Sequence, residues 1–273
     1  MPVVKLPFGE VLAESFGFFF ANRRLFFHLV TIPWIISVAI RITGALIASE
    51  SLIAVLVEKV ADVVPTVMFM VAWQRVVLLG PHRGDRLPGR GWSPRESAYL
   101  VHLIKVAGIT FLLIAAFIFT VGSLDPGQFG VDTPLDPDLA RRQTLAAPLG
   151  VGFTVSMLLA LRVSFGLAAT AVDVPFSPRL SWTYSRGNAW TIIGALFLTF
   201  FIGAVATTVA TLVVLGLMRG LLGAQEAAAV VTWTVAILVS YGGAGLAATV
   251  QAVIFRRLLE WREGSTLPAL SPS

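Results

Sequence analysis

Residues 189–217, AWTIIGALFLTFFIGAVATTVATLVVLGL, contain no charged side chain, and they decide the fold class. A helix needs about 20 apolar residues to cross the hydrocarbon core of a bilayer, whereas a barrel strand takes only about 10. An open sheet is excluded because the N–H and C=O groups at its edges would be unsatisfied in lipid. The stretch therefore predicts a transmembrane helix.

The composition of the whole chain agrees with this prediction. Of the 273 residues, 56% are hydrophobic and 13% are charged, and the mean hydropathy is +0.84. A soluble domain carries about 25% charged residues. Cysteine is absent, which excludes disulfides, thiolate metal sites and thiol catalysis. The first residues do not have the pattern of a signal peptide, because the first apolar run begins late and no small-residue cleavage site follows it.

Six stretches are long and apolar enough to cross a membrane. They are Leu25–Ala48, Ile53–Leu79, Val106–Leu124, Leu145–Ser164, Ala189–Leu217 and Ala228–Phe255. The second is the least apolar, because Glu58, Lys59 and Asp62 lie in its first third. We expect an all-α integral membrane bundle of six transmembrane helices arranged as three hairpins, each preceded by an amphipathic helix on the cytoplasmic surface.

The basic residues predict the orientation, because Lys and Arg concentrate in cytoplasmic loops. One face would carry Lys5, Arg23, Arg24, Arg83, Arg86, Arg90, Arg95, Arg179, Arg186, Arg256, Arg257 and Arg262. The opposite face would carry only Lys59, Arg141, Arg142 and Arg219. The protein is therefore predicted to be a multi-pass protein of a bacterial inner membrane, with both termini in the cytoplasm.

A short motif suggests an internal repeat. The pattern S-P-R-x-S occurs at Ser93–Ser97 and again at Ser177–Ser181, a spacing of 84 residues, and the same step backwards reaches Phe8. Internal symmetry is common in membrane bundles. We predict a single membrane domain, 1–273, with repeat units 8–91, 92–175 and 176–259 and a cytoplasmic tail, 260–273. Asn22 and Asn188 are predicted to cap or turn the chain before a span.

The stretch Ser181–Trp190, SWTYSRGNAW, resembles the S-W-x-x-x-x-G-x-x-W passage of bacterial YciC-like six-span membrane proteins. It is also similar to the membrane domain fused to certain glycerophosphodiester phosphodiesterases. The resemblance implies an inner-membrane protein of unassigned activity. It supplies no catalytic residue to transfer, since the chemistry of the phosphodiesterases belongs to a soluble domain that this sequence does not contain.

Arg41 is the one charge deep within a predicted span, and an unpaired guanidinium there is costly. A hairpin centred near residue 51.5 places Asp62 opposite Arg41. We expect an Arg41–Asp62 ion pair, with Glu58 as the second choice. The pair has two interpretations: a structural clasp that closes the outer end of the hairpin, or a proton or anion step on a transport path.

Other basic residues are candidates for contact with lipid headgroups, because they lie at the cytoplasmic ends of predicted helices. They are Arg75, Arg162, Arg256 and Lys105. Expected partners are membrane lipids with anionic headgroups at the cytoplasmic face, and also protein partners or a second copy of the chain. Nucleic acid is not an expected partner, because the basic residues form no continuous stripe.

Small and polar residues repeat within two spans. Gly152, Ser156, Ala160, Ser164 and Ala168 form a four-residue ladder that predicts close helix packing, with a polar path as the alternative. Ser240–Gly245 is either a packing face or a break in the helix. Thr207 and Thr211 are expected to bond carbonyls of their own helix.

The sequence contains no recognisable catalytic, cofactor or metal site. His28, His82 and His102 are scattered, and Asp132, Asp136 and Asp138 lack the spacing of a calcium loop. The loop at 80–91 has glycines and arginines but not the strand–helix context of a phosphate loop. The preferred hypothesis is a non-catalytic membrane protein that binds lipid or partner proteins. A small carrier or channel and a lipid-modifying enzyme are the alternatives.

Overall fold

The structure is a computed structural model, and its described part is helical, with no strand among the described residues. The ranges it describes are 5–47, 52–80, 91–122, 150, 154–156, 159–162, 164–175, 177–222 and 225–263. Within these ranges the helices are α1 (Phe8–Ala21), α2 (Arg23–Ile47), α3 (Leu52–Leu79), α4 (Pro94–Gly122), α5 (Phe165–Ala171), α6 (Pro178–Tyr184), α7 (Ala189–Leu222) and α8 (Gln225–Glu263).

Five helical stretches are long and apolar enough to cross a membrane. They are Arg23–Ile47, Pro94–Phe117, Thr154–Ala171, Ala189–Gly220 and Ala227–Glu260. Each overlaps one of the six predicted spans, although the third begins nine residues later than the predicted Leu145 and includes residues outside the described ranges. The fold class is therefore confirmed as all-helical with several helices of membrane length.

Helix α3, Leu52–Leu79, coincides with the remaining predicted span but is not among the five. Its first half carries the charges at Glu58, Lys59 and Asp62. Most side chains in its second half, from Val67 to Leu78, are buried by other helices. Helix α3 contacts α2, α4, α5 and α8. It is thus the inner helix of the bundle, shielded by protein over the part of its length that is apolar.

Two of the three predicted surface helices are separate helices. Helix α1 ends at Asn22, whose main-chain N–H and side-chain amide both donate to the carbonyl of Phe18. Helix α6 ends before Gly187, which has φ +85°, a conformation that favours glycine. These turns separate α1 from α2 and α6 from α7.

The prediction that the second surface helix is a separate element is wrong, because α4 continues unbroken from Pro94 to Gly122. At the positions equivalent to Asn22 and Asn188, one repeat away, the chain has Val106 and Ile104. Neither residue breaks a helix, so the amphipathic segment runs directly into the apolar one.

The two S-P-R-x-S motifs both begin helices. Ser93 precedes α4, and its main-chain N–H donates to the Glu96 carboxylate at 2.8 Å, as in a capping box. Ser177 precedes α6, and its hydroxyl accepts from the N–H of Leu180 at 3.2 Å. Both serines therefore stand at the start of a helix, but the first cap also uses Glu96, which occupies the variable position of the motif.

An aromatic cluster forms the core where α3 meets α8. Phe69 and Trp73 of α3 contact Phe26 of α2, with ring centroids 5.6 and 5.7 Å away. Gly245 of α8 lies against this cluster, since a Cβ there would be 3.1 Å from Phe26 and 3.2 Å from Phe69. The Trp73 indole N–H donates to the carbonyl of Gly245 at 2.9 Å. The glycine-rich stretch Ser240–Gly245 is therefore a packing face, and α8 is continuous through it.

Candidate functional site

The ion pair predicted within the first hairpin joins Arg41 to Glu58. Nη1 of Arg41 donates to both carboxylate oxygens of Glu58, at 2.7 and 2.9 Å. The guanidinium carbon also lies 5.0 Å from the ring centroid of Trp233, within cation–π range. The pair thus connects α2 to α3 and places Arg41 against α8.

The predicted ion pair between Arg41 and Asp62 is wrong. Arg41 pairs instead with Glu58, the second choice. Because α2 ends at Ile47 and α3 begins at Leu52, the hairpin is centred two residues earlier than the spacing predicted. Gly44 leaves space for the Glu58 carboxylate, since a Cβ at this position would lie 2.8 Å from Oε2 of Glu58. The displaced centre places Glu58 opposite Arg41 and leaves Asp62 one helical turn further along α3.

Asp62 lies near a group of hydroxyls. Its Oδ1 atom is buried and accepts no hydrogen bond. One turn further along α3, the Thr66 hydroxyl donates to the main-chain carbonyl of Asp62 at 2.8 Å. The Tyr241 hydroxyl of α8 shares a 2.8 Å hydrogen bond with that of Ser37 of α2, it also bonds the Thr66 hydroxyl, and the charge of Asp62 acts on it. Hydroxyls of three helices therefore meet near the part of α3 that contains Asp62.

Three of the four candidate headgroup residues have protein partners. Arg75 donates to the carbonyl of Ala171 at 2.8 Å and lies 3.6 Å from the Asp173 carboxylate. Arg256 pairs with Glu14 of α1. Lys105 is exposed on α4. Arg75 and Arg256 thus hold helix ends together.

Arg162 is bound to the end of α6. Its Nε donates to the Ser185 hydroxyl at 3.0 Å and its Nη2 to the carbonyl of Trp182 at 3.2 Å. The guanidinium also stacks on the Trp182 ring at 3.6 Å. These contacts fix α6 against the segment that precedes α5.

Two glutamates of α1, Glu10 and Glu14, are paired with α8. Glu10 and Glu14 both bind Arg257, at 3.1 and 2.7 Å. Asp173 similarly accepts from Arg95 at 2.6 Å. Sequence reasoning missed these pairs, because residues more than 70 positions apart form them and no local spacing indicates them.

A buried amide network connects α3, α8 and the start of α5. Gln74 donates to Gln251 at 2.9 Å, and Gln251 donates to both the carbonyl and the hydroxyl of Ser164 at 2.9 Å. Nearby, Nε2 of His102 is buried against Gly166, where a Cβ would lie 2.3 Å from it. The network fixes the rotation of three helices, and sequence reasoning missed it.

The small-residue ladder has a packing function at the positions the structure describes. Ser156, Ser164 and Ala168 are buried, and the Ser164 hydroxyl donates to the carbonyl of Leu161. Gly152 lies outside the described residues, as do His82, residues 81–90 of the glycine–arginine loop and the aspartates of the 123–144 loop. Thr207 and Thr211 bond the carbonyls of Gly203 and Thr207 of their own helix, as expected.

Helices α7 and α8 enclose a groove of about 390 Å³ along their seam. Small side chains line most of it: Gly203, Ala204, Thr207, Gly243, Ala244 and Ala247. At its base the two backbones approach closely, since a Cβ on Gly243 would lie 3.0 Å from Cα of Gly203. Ala204 is exposed, so the groove opens to the outside of the bundle.

Over the ranges given above, no three His, Asp or Glu side chains come close enough to hold a metal ion. The chain matches no protein-family model, no curated protein and no solved structure.

Proposed function

We propose that the protein is a non-catalytic, multi-pass membrane protein that binds membrane lipid in the groove between α7 and α8. In this proposal α3 is the sixth span, the six spans form three hairpins, and both termini lie on the cytoplasmic side of a bacterial inner membrane. The predicted excess of Lys and Arg on one face supports that orientation, and the resemblance to YciC-like proteins is compatible with it.

The observation that carries the proposal is the groove. Its volume of about 390 Å³ is in the range of ligand pockets, about 300–1,000 Å³. Its lining is mostly apolar, and the hydroxyls of Thr207 and Ser240, which also line it, bond carbonyls of their own helices. A mostly apolar groove fits an acyl chain, which has no polar group to pair.

The exposed apolar side chains around the groove indicate which ligand would reach it. In the most apolar stretch of α7 no residue is buried by the protein, and Phe197, Phe201 and Val205 are exposed on that helix. Soluble proteins rarely expose apolar patches of this kind. In a bilayer these side chains would contact hydrocarbon, so acyl chains would surround the open side of the groove.

The alternatives have less support. A carrier or channel would need a water-filled cavity reaching Arg41, but the groove is apolar and Arg41 does not line it. A lipid-modifying enzyme would need convergent carboxylates at the arginine-rich end. There Glu10, Glu14 and Asp173 are engaged with arginines.

Lipid retention tests the proposal. The full chain would be purified in a mild detergent, and the co-purifying lipid would be quantified by mass spectrometry for the parent protein and two variants. Ala204→Phe places a ring in the groove. Ala206→Phe is the control, because Ala206 is exposed on α7 but does not line the groove.

We expect the parent and the Ala206→Phe variant to retain lipid and the Ala204→Phe variant to lose most of it. Equal retention by the two variants would contradict the proposal. So would a parent protein that carries no lipid but forms a dimer which only Ala204→Phe disrupts, because the groove would then hold a helix of a second copy.

A further inference from the structure

Arg162 and Lys105 form no ion pair with any residue that the structure describes. The guanidinium of Arg162 donates only to neutral groups, the Ser185 hydroxyl at 3.0 Å and the carbonyl of Trp182 at 3.2 Å. Its Nη1 atom donates to no described residue. Lys105 is exposed on α4, and its ammonium group has no described hydrogen-bond partner either. Both cations are therefore available to a ligand.

Helix α4 runs antiparallel to α5 and the residues that precede it. Arg95, near the start of α4, pairs with Asp173, just after α5, at 2.6 Å. His102, seven residues later in α4, lies against Gly166, seven residues before that aspartate, where a Cβ would be 2.3 Å from Nε2 of the imidazole. The two contacts together fix the register of the two segments.

This register brings Lys105 and Arg162 to about the same level. Each lies about one helical turn beyond the contact of His102 with α5. The main-chain N–H of Ser164 bonds the carbonyl of Ala160 at 2.9 Å, so the helical rise continues from Arg162 into α5. The charge of Lys105 also acts on His102, as expected for a lysine on the side of α4 towards α5.

In the proposed orientation, this level corresponds to the lipid headgroups of the cytoplasmic leaflet. The charged side chains of α4 all precede Val106, and residues 106–122 carry none. The hydrocarbon region would therefore begin just beyond Lys105, with the phosphates beside it. The ring of Trp182, 44% exposed, lies 3.6 Å from the guanidinium of Arg162. Tryptophan is enriched at this boundary of a membrane.

The two positive charges are not balanced by an acid on the same segments. The nearest carboxylates there are Glu96 and Asp173, each about 13 Å or more away along the helix axis at 1.5 Å per residue. Asp173 already pairs with Arg75 and Arg95, and Glu96 accepts from Ser93 at the start of α4. A water molecule would leave both charges uncompensated, whereas a phosphate balances them and accepts from guanidinium and ammonium groups.

We propose that Lys105 and Arg162 together bind the phosphate of a phospholipid with net negative charge, and that Trp182 holds the guanidinium in position. A zwitterionic phospholipid binds less tightly, because its own ammonium group is repelled by the two cations. The site rests on the membrane orientation given under the proposed function, but it does not depend on the groove between α7 and α8.

Native mass spectrometry of lipid binding tests this proposal. The full chain in a mild detergent would be titrated with phosphatidylglycerol and, separately, with phosphatidylethanolamine of the same acyl chains. We expect the parent to bind phosphatidylglycerol at least about fivefold more tightly, the factor that corresponds to about 1 kcal/mol per basic residue near an anionic lipid. Inorganic phosphate at the same concentration should not displace the lipid, because it lacks acyl chains.

Variants connect the preference to the two cations. Lys105→Gln should weaken binding of phosphatidylglycerol about fivefold and leave that of phosphatidylethanolamine unchanged. Arg162→Gln should have the same effect, whereas Arg162→Lys keeps the charge and should retain most of the preference. Arg219→Gln is the matched control, because it removes one exposed charge from the other end of the bundle, on α7. If Arg162→Gln does not fold, Lys105→Gln decides, since that side chain has no described contact to lose.

Equal affinity of the parent for the two lipids would overturn the proposal, as would a Lys105→Gln variant that binds phosphatidylglycerol like the parent. Displacement of the lipid by inorganic phosphate would overturn it too, since the site would then hold a soluble anion. Ala204→Phe, which fills the groove, should keep the preference for the anionic lipid. If Ala204→Phe loses this preference and Lys105→Gln does not, the groove selects the lipid and the proposal is wrong.

Discussion

The close approach of α7 and α8 gives the sharpest prediction, which is that Gly243→Ala destabilises the protein. A Cβ at this position lies 3.0 Å from Cα of Gly203, whereas two carbon atoms in contact are about 3.5–4.0 Å apart. The obstacle is backbone, which cannot rotate away as a side chain does. The two helices must therefore separate by about 0.5–1 Å at this point.

Two effects of opposite sign determine how far Gly243→Ala changes the free energy of unfolding. Overpacking a well-packed contact costs about 1–3 kcal/mol. Alanine in a helix is favoured over glycine by about 1 kcal/mol, which offsets part of this cost. Gly242→Ala is the matched control, because a Cβ there meets no atom within 4 Å and only the favourable effect applies. We expect Gly243→Ala to be less stable than Gly242→Ala by about 1–3 kcal/mol.

The assay is equilibrium unfolding in mixed micelles with increasing SDS, followed by far-UV circular dichroism. Gly203→Ala should have the same effect as Gly243→Ala, since the two α-carbons face each other. The double variant should cost less than the sum of the two, because one separation of the helices relieves both contacts. Equal stability of Gly243→Ala and Gly242→Ala would refute the reasoning.

Two further predictions concern the interior of the bundle. Gly166→Ala should destabilise by about 1–3 kcal/mol, because its Cβ would lie 2.3 Å from Nε2 of His102 and the imidazole ring would have to move. Gly108→Ala, whose Cβ would meet nothing within 4 Å, should not destabilise in the same unfolding assay. Glu58→Gln should cost about 1–2 kcal/mol, less than for a fully buried pair because the Arg41 side chain is 40% exposed. Adding Arg41→Gln should recover part of that loss, and a double variant that is less stable than Glu58→Gln alone would contradict this interpretation.

The sequence by itself determined the helical class, because hydropathy and length are local properties that do not depend on the partners of a segment. It also indicated the turn at Asn22 that ends α1, since capping depends on residues within one turn. For the same reason the hydroxyls of Thr207 and Thr211 bond within their own helix, as expected.

Only the tertiary structure decided which side chains meet. Each residue turns an α-helix by about 100°, so a hairpin centre displaced by two residues changes the partner of Arg41 from Asp62 to Glu58. Likewise, Arg75 and Arg256 bind carboxylates on other helices, although their sequence positions are typical of lipid anchors. Such pairs depend on the rotation and register of whole helices, which packing at glycines and the buried Gln74–Gln251 contact determine. The same register leaves Oδ1 of Asp62 without a hydrogen-bond donor among the described residues.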